Sequence, residues 1–254
     1  MPDLGQFTAF LLVFLRAAAF MMSGPLYAIK GIPPLAKVGF SLALATVVFP
    51  MVELNTPLPE DSWGFGLAVI SETGVGLLLG TAVTMVLNSI RMAGQFIDLQ
   101  IGYAMATLVD PTNGATSTLL AQYLYLLSLV FFLMLDGHYT LIIALVKSYE
   151  LVPLSAAGFS GGTAYILLQI FSGAFTTALQ VSAPVLAVLL IADLGLGFLT
   201  RTTPQINVFL TGFPIKIAVG LLTLSFLIPL LGTVIHVILN AIERDLYLLM
   251  RELV

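Results

Sequence analysis

Side chains that could do chemistry are few in this chain of 254 residues. It has no cysteine, which excludes thiolate metal sites, disulfides and cysteine nucleophiles. The two histidines, His138 and His236, are well separated, and two imidazoles alone do not predict a metal site. The sequence also has no phosphate-binding loop, no His-Glu-x-x-His motif and no dinucleotide fingerprint. We therefore expect no metal and no cofactor.

One short motif matches a catalytic pattern. Residues 158–162 fit Gly-x-Ser-x-Gly, and their Gly-x-Ser-Gly core is similar to the serine motif of rhomboid intramembrane proteases, with His236 as a conceivable base for Ser160. The motif also lies in a run of Ser, Ala and Gly before an apolar segment, where Ser160 or Thr163 would cap a helix. We predict a helix cap and no catalytic residue, with a protease as the alternative.

The surrounding chain is strongly apolar. Apolar residues make up 59% of it and charged residues only 9%, whereas about a quarter of a soluble domain is charged. The net charge of −4 offers no basic surface for a phosphate backbone, so nucleic acid is not an expected partner. Residues 111–135, 151–192 and 217–242 have no charged side chain, and about 20 helical residues cross a bilayer. We predict an all-α integral membrane protein, a helical bundle in contact with lipid.

Charges and prolines interrupt the apolar segments. Six segments can be recognised, at 7–29, 38–52, 65–90, 119–146, 163–192 and 208–239. Arg16 and Glu72 fall inside two of them, and Pro184 and Pro229 are expected to interrupt the last two. An ionised group in mid-membrane costs about 3 kcal/mol or more unless it is paired. These helices should therefore face protein more than lipid.

A strip of small and polar residues recurs every four positions in the third segment. Such a strip lets another helix backbone approach closely and lets polar groups find partners. Its members are Glu72, Gly76, Gly80, Thr84 and Asn88.

A second set spaced by four consists of Asp193, Gly197 and Arg201, which share a face if helical. An Asp193–Arg201 pair would neutralise two costly charges, and structural pairing is the favoured interpretation. The alternative is a relay or substrate site of a small-solute secondary transporter.

Residues 91–118 combine an amphipathic helix with a polar loop. Arg91, Gln95, Asp98 and Gly102 follow a 4-3-4 spacing that places them on one helical face. After them, Asp110-Pro111 and Asn113-Gly114 are strong helix-breaking and turn signals. Such a loop in so apolar a chain is tolerated at an aqueous edge or lining a cavity.

Three separated stretches make the sequence recognisable. Residues 91–111, the Asp136-Gly-His138 tripeptide and residues 194–214 strongly resemble the FliR family of export-gate proteins from the bacterial flagellar type III secretion system. Order, spacing and length agree over about residues 5–245.

The resemblance implies a function and partners. It implies a non-enzymatic subunit that assembles with FliP and FliQ, next to FlhB, in the bacterial cytoplasmic membrane at the flagellar basal body. The assembly would pass unfolded rod, hook and filament proteins across that membrane. A FliP-like part would cover residues 1–160, including the amphipathic helix and plug loop 91–118, and a FliQ-like helical hairpin residues 161–254. The homologous gate component of a virulence injectisome is the alternative within the same fold.

The resemblance also implies a channel plug at the end of the amphipathic helix and in the loop after it. Apolar side chains there would obstruct the channel, and a turn would follow them. The corresponding positions are Met105, Ala106, Thr107, Leu108, Val109, Asp110, Pro111, Asn113 and Gly114.

Overall fold

A computed structural model describes residues 4–25, 33–52, 61–103, 118–202 and 208–254. The described residues form helices and no strand. The α-helices are α1 (Leu4–Ser23), α2 (Pro34–Val48), α3 (Ser62–Ile101), α4 (Leu119–Met134), α5 (Gly137–Leu151), α6 (Gly161–Thr202), α7 (Val208–Leu227) and α8 (Leu231–Arg251). Short 3-10 turns, Phe49–Met51 and Ile228–Leu230, follow α2 and α7.

Several helices are long and apolar enough to cross a membrane. Within the described residues there are five such stretches, or six if α4 and α5, bent by 71°, count as one broken span. The break lies at Asp136, whose φ of 56° is left-handed, a conformation that aspartate tolerates better than most residues. The predicted all-α membrane fold is confirmed.

The two prolines expected to interrupt helices behave differently. Pro229 lies in the 3-10 turn between α7 and α8, as predicted. Pro184 lies inside α6, which continues to Thr202, so the predicted interruption there was wrong. Membrane helices tolerate proline because neighbouring groups can satisfy the freed carbonyl.

Contacts divide the chain into two compact units. The first comprises Met1–Val86, Asp136–Ser172 and Leu239–Val254, and the second Leu87–Leu135 and Gly173–Ile238. The boundary expected after residue 160 falls at the first residue of α6. The predicted boundary separates parts that resemble different proteins, which contacts within the chain do not test. It therefore stays a prediction.

The core of the first unit forms where α1 packs against α2 and α3. Leu12, Val13 and Phe20 of α1 are buried, as are Val75 and Leu79 of α3. Apolar burial of this kind contributes about 25 cal/mol per Å².

In the second unit, the last turns of α3 pack against α4, α6 and α7. Ile97 and Ile101 of α3, Leu124 of α4 and Leu189 of α6 are buried. The ring of Phe96 meets that of Phe175 edge-on, with 5.8 Å between centroids.

Large apolar side chains remain on the surface. Leu35, Trp63 and Phe226 are each at least 79% exposed. Only 17% of the apolar window in α2 is buried, against 44% in α1. The helices therefore leave extensive apolar surface for lipid or for other protein chains.

Candidate functional site

A fully buried ion pair joins α1 and α3 in the first unit. Arg16 Nε donates to Glu72 Oε2 at 2.6 Å, and a second guanidinium nitrogen donates to Oε1 at 3.0 Å. Both side chains are fully buried. Two parallel charge-assisted bonds make this the strongest geometry for an arginine and a carboxylate.

Backbone groups complete the coordination of this pair. The third guanidinium nitrogen of Arg16 donates to the carbonyl oxygens of Ser148, at 2.7 Å, and Val152, at 2.9 Å. Glu72 Oε1 also accepts from the backbone N–H of Ser155 at 2.9 Å. The network therefore joins α1, α3 and the end of α5 to the turn that precedes α6.

An aromatic ring covers one face of the guanidinium. The guanidinium carbon Cζ of Arg16 lies 4.5 Å from the centroid of the Tyr149 ring, in cation–π geometry. The Tyr149 hydroxyl donates to the carbonyl oxygen of Val13 at 2.8 Å, so its own polar atom is also satisfied. Removing one member of such a buried pair costs about 3–5 kcal/mol because the other charge is left uncompensated.

The glycines of the predicted strip lie against α1. A Cβ on Gly76 would come within 2.8 Å of Ala19 Cβ and 2.9 Å of Phe20 N, and one on Gly80 would collide with Ser23. Thr84 Oγ1 donates to the carbonyl oxygen of Ser23 at 2.6 Å. The backbones of α1 and α3 thus approach closely along a stretch that begins at the ion pair.

The first and last residues of the strip have different surroundings. Glu72 belongs to the ion pair, whereas Asn88 is half-buried in the second unit.

The Gly-x-Ser-x-Gly motif forms a helix cap. Ser160 Oγ accepts from the backbone N–H of Gly162 at 3.1 Å, and Thr163 Oγ1 accepts from the N–H of Ser160 at 3.4 Å. These bonds satisfy donors at the start of α6, as the sequence predicts. Ser160 is exposed and belongs to the first unit, whereas His236 belongs to the second.

Asp98, which is fully buried near the end of α3, holds the start of α4. Its Oδ2 accepts from the backbone N–H of Ala121 at 2.9 Å and its Oδ1 from that of Leu120 at 3.4 Å. Thr118, which precedes α4, makes no capping bond with its own side chain. The carboxylate of Asp98 therefore takes the place of an N-cap and compensates the positive end of the helix dipole.

Asp193 has a different partner from the one that its spacing suggests. Its Oδ1 lies 2.6 Å from Lys216 Nζ, and its Oδ2 accepts from Gln100 Nε2 at 2.9 Å. Arg201 is exposed and is the penultimate residue of α6. Sequence reasoning missed Lys216 because it lies on α7, and residue spacing reports neighbours on one helix only.

The residues implied as a channel plug lie outside the described residues. These are Met105, Ala106, Thr107, Leu108, Val109, Asp110, Pro111, Asn113 and Gly114. The described chain stops at Tyr103 and resumes at Thr118.

The fold and the paired charges together define a class of protein. It is a multi-pass, all-α membrane protein with charges paired between helices. In the part of the chain that the structure describes, no three His, Cys, Asp or Glu side chains are grouped as metal ligands would be.

Residues 7–242 match the family described as bacterial export proteins, family 1, and the chain belongs to that family. Relatives named flagellar biosynthetic protein FliR are similar over most of their length. The one from Bacillus subtilis (strain 168) is 36% identical over 233 residues, which are 91% of this chain and 90% of the relative. That from Pectobacterium carotovorum subsp. carotovorum is 33% identical over 218 residues, 86% of this chain and 83% of the relative. That from Escherichia coli (strain K12) is 29% identical with the same coverage, 86% and 83%.

Proposed function

We propose that this chain is a structural, non-enzymatic subunit of the export gate of the bacterial flagellar type III secretion system. In this role it helps to pass unfolded rod, hook and filament proteins across the cytoplasmic membrane. The observation that carries the proposal is membership of a bacterial export family across residues 7–242. Relatives named flagellar biosynthetic proteins support the flagellar version over an injectisome.

Helix length supports a place inside an assembly. α6 has 42 residues, and α3 has 40. At 1.5 Å per residue each is about 60 Å long, roughly twice the hydrocarbon core of a bilayer. Helices of this length with exposed apolar side chains need protein partners where they leave the lipid. FliP, FliQ and FlhB are the partners proposed, in the cytoplasmic membrane at the flagellar basal body.

We assign the two parts of the chain to two kinds of neighbour. Residues 1–160 would occupy a FliP-like position and residues 161–254 a FliQ-like one. In the first unit, the buried ion pair of Arg16 and Glu72 fixes α1 on α3 without any partner chain. That supports a preassembled subunit that docks as a folded body.

Residues 105–114 are proposed as the channel plug. An apolar constriction excludes water and ions by dewetting, while the side chains of a loop can still move aside for an unfolded polypeptide. Replacing residues 106–118 by a short Gly/Ser linker should therefore make the assembled gate leaky. Ion permeability of cells expressing the gate measures this, and unchanged tightness would contradict the plug assignment.

Gene deletion tests the function itself. Cells lacking this chain should release no hook or filament protein into the medium, and plasmid-borne wild type should restore release. The wild-type chain, tagged and extracted in detergent, should co-purify with FliP and FliQ. Normal export in the deletion strain would refute the proposal.

The protease alternative has its own test. Because Ser160 caps α6, Ser160→Ala should leave hook-protein export at the wild-type level and lower stability by about 1 kcal/mol. Glu243→Gln, on an exposed position of α8, is the control for an unrelated substitution. Fluorophosphonate labelling at Ser160, with loss of export in Ser160→Ala, would favour an enzyme instead.

A further inference from the structure

Two carboxylates join four helices at the end of α3. Asp98 binds the start of α4 through two backbone N–H groups. Two residues further on, Gln100 donates to Asp193 of α6, and Asp193 pairs with Lys216 of α7. All of these residues belong to the second unit. The last turns of α3 are therefore a polar junction in an otherwise apolar region.

Apolar contacts reinforce the junction on the side of α7. Gly102 follows α3 with φ of +102°, a conformation that favours glycine, and a Cβ there would collide with the Phe213 ring. A Cβ on Gly220 would lie 2.6 Å from Ile101 Cδ1. The end of α3 thus packs directly on the backbone of α7.

The two carboxylates, Asp98 and Asp193, differ in how easily they can separate from their partners. Asp98 is fully buried, so separating it from α4 would leave an uncompensated charge in an apolar environment. The side chains of Asp193 and Lys216 are 36% and 18% exposed, and a cavity of ≈ 280 Å³ adjoins them. The Asp193–Lys216 pair therefore borders open space on one side, so separating it breaks fewer contacts than separating Asp98 from α4.

We infer that the Asp193–Lys216 pair is a latch that breaks when the export channel opens, while Asp98 keeps α3 on α4 in both states. The two residues of the pair are positioning residues, since they act through α3, α6 and α7. The inference rests on the proposed function, because it names what holds that channel closed.

Neutralising the latch is the first test, with the assembled gate in cells. Asp193→Asn and Lys216→Met should each raise ion leak about threefold to fivefold, the shift that loss of a partly exposed ion pair gives to a two-state equilibrium. The charge exchange Asp193→Lys with Lys216→Asp should return leak towards wild type. Asp136→Asn is the matched control, because Asp136 is exposed and asparagine tolerates its left-handed backbone.

A reversible crosslink is the second test. Because the sequence has no cysteine, a thiol reagent reacts in this chain only with the cysteines that are introduced. Asp193→Cys with Lys216→Cys, joined by a short bifunctional thiol reagent with a cleavable disulfide, should stop hook-protein export. Reduction should restore it. A single Asp193→Cys treated identically is the control and should continue to export.

The outcomes separate this inference from the proposed function. Wild-type leak in both neutralised variants, or export that continues after complete crosslinking, overturns the latch. Both results would leave the deletion phenotype and the co-purification untouched. If a neutralised variant fails to assemble, crosslinking of the assembled double-cysteine gate still decides.

Discussion

Two ion pairs between helices, one in each compact unit, are held in opposite ways. Arg16 and Glu72 share two short bonds, are fully buried and gain further bonds from backbone groups. Asp193 and Lys216 share one contact beside a cavity and are partly exposed. A buried pair is costly to break, whereas an exposed pair contributes little and is screened by salt. The first pair therefore fixes a structure, and the second can serve as an adjustable contact.

The largest effect should come from breaking the buried pair. Glu72→Gln leaves the guanidinium of Arg16 buried without a countercharge, so unfolding should become easier by about 3–5 kcal/mol. Thermal stability and yield of the detergent-extracted chain measure this. Glu243→Gln, the same substitution on an exposed residue, should have no effect. Equal stability of the two variants would mean that the buried pair does not hold the first unit together.

An intermediate effect should follow from separating the helices that carry the buried pair. Gly76→Ala forces a methyl group against Ala19 and Phe20, and such overpacking costs about 1–3 kcal/mol. Gly173→Ala is the matched control, since a Cβ there has no atom within 4 Å. Thermal unfolding of the two variants side by side measures the difference. If Gly173→Ala proved as destabilising as Gly76→Ala, close approach of α1 and α3 would not be the cause.

The smallest effect should come from the exposed pair. Lys216→Met should lower stability by about 1 kcal/mol or less. The difference from wild type should shrink as salt is raised, because ions screen exposed charges. Arg244→Gln is the control, since Arg244 is 70% exposed and pairs only with its neighbour Asp245 in the described chain. A large, salt-independent loss in Lys216→Met would remove the distinction between the two pairs.

Much of the fold follows from the sequence because hydrophobicity and turn signals act locally. The apolar segments and the cap at Ser160 each depend on neighbouring residues alone. The need for Arg16 and Glu72 to find partners was also predictable from the cost of isolated charges in a membrane.

The identity of those partners was not predictable in the same way. Arg16 and Glu72 are 56 residues apart, and Gln100 and Asp193 are 93 apart. Helical spacing relates only residues on one helix, so it suggested Arg201 for Asp193 where the fold supplies Lys216. Asp98 shows the same limit: a buried carboxylate capping another helix has no local signature.

The Arg16 network also sets an order of events during synthesis. Its partners are Glu72 and backbone carbonyl groups as far along the chain as Val152. The backbone N–H of Ser155 also donates to the carboxylate of Glu72. At roughly ten residues per second, the ribosome needs more than about ten seconds after making Arg16 to deliver them. Until Glu72 is made, about six seconds after Arg16 at that rate, the guanidinium has no countercharge in this network, and its backbone acceptors follow only later. Fragments that end just before α5 therefore contain Arg16 and Glu72 but lack both backbone acceptors of the guanidinium, so burying this arginine needs more than half of the chain.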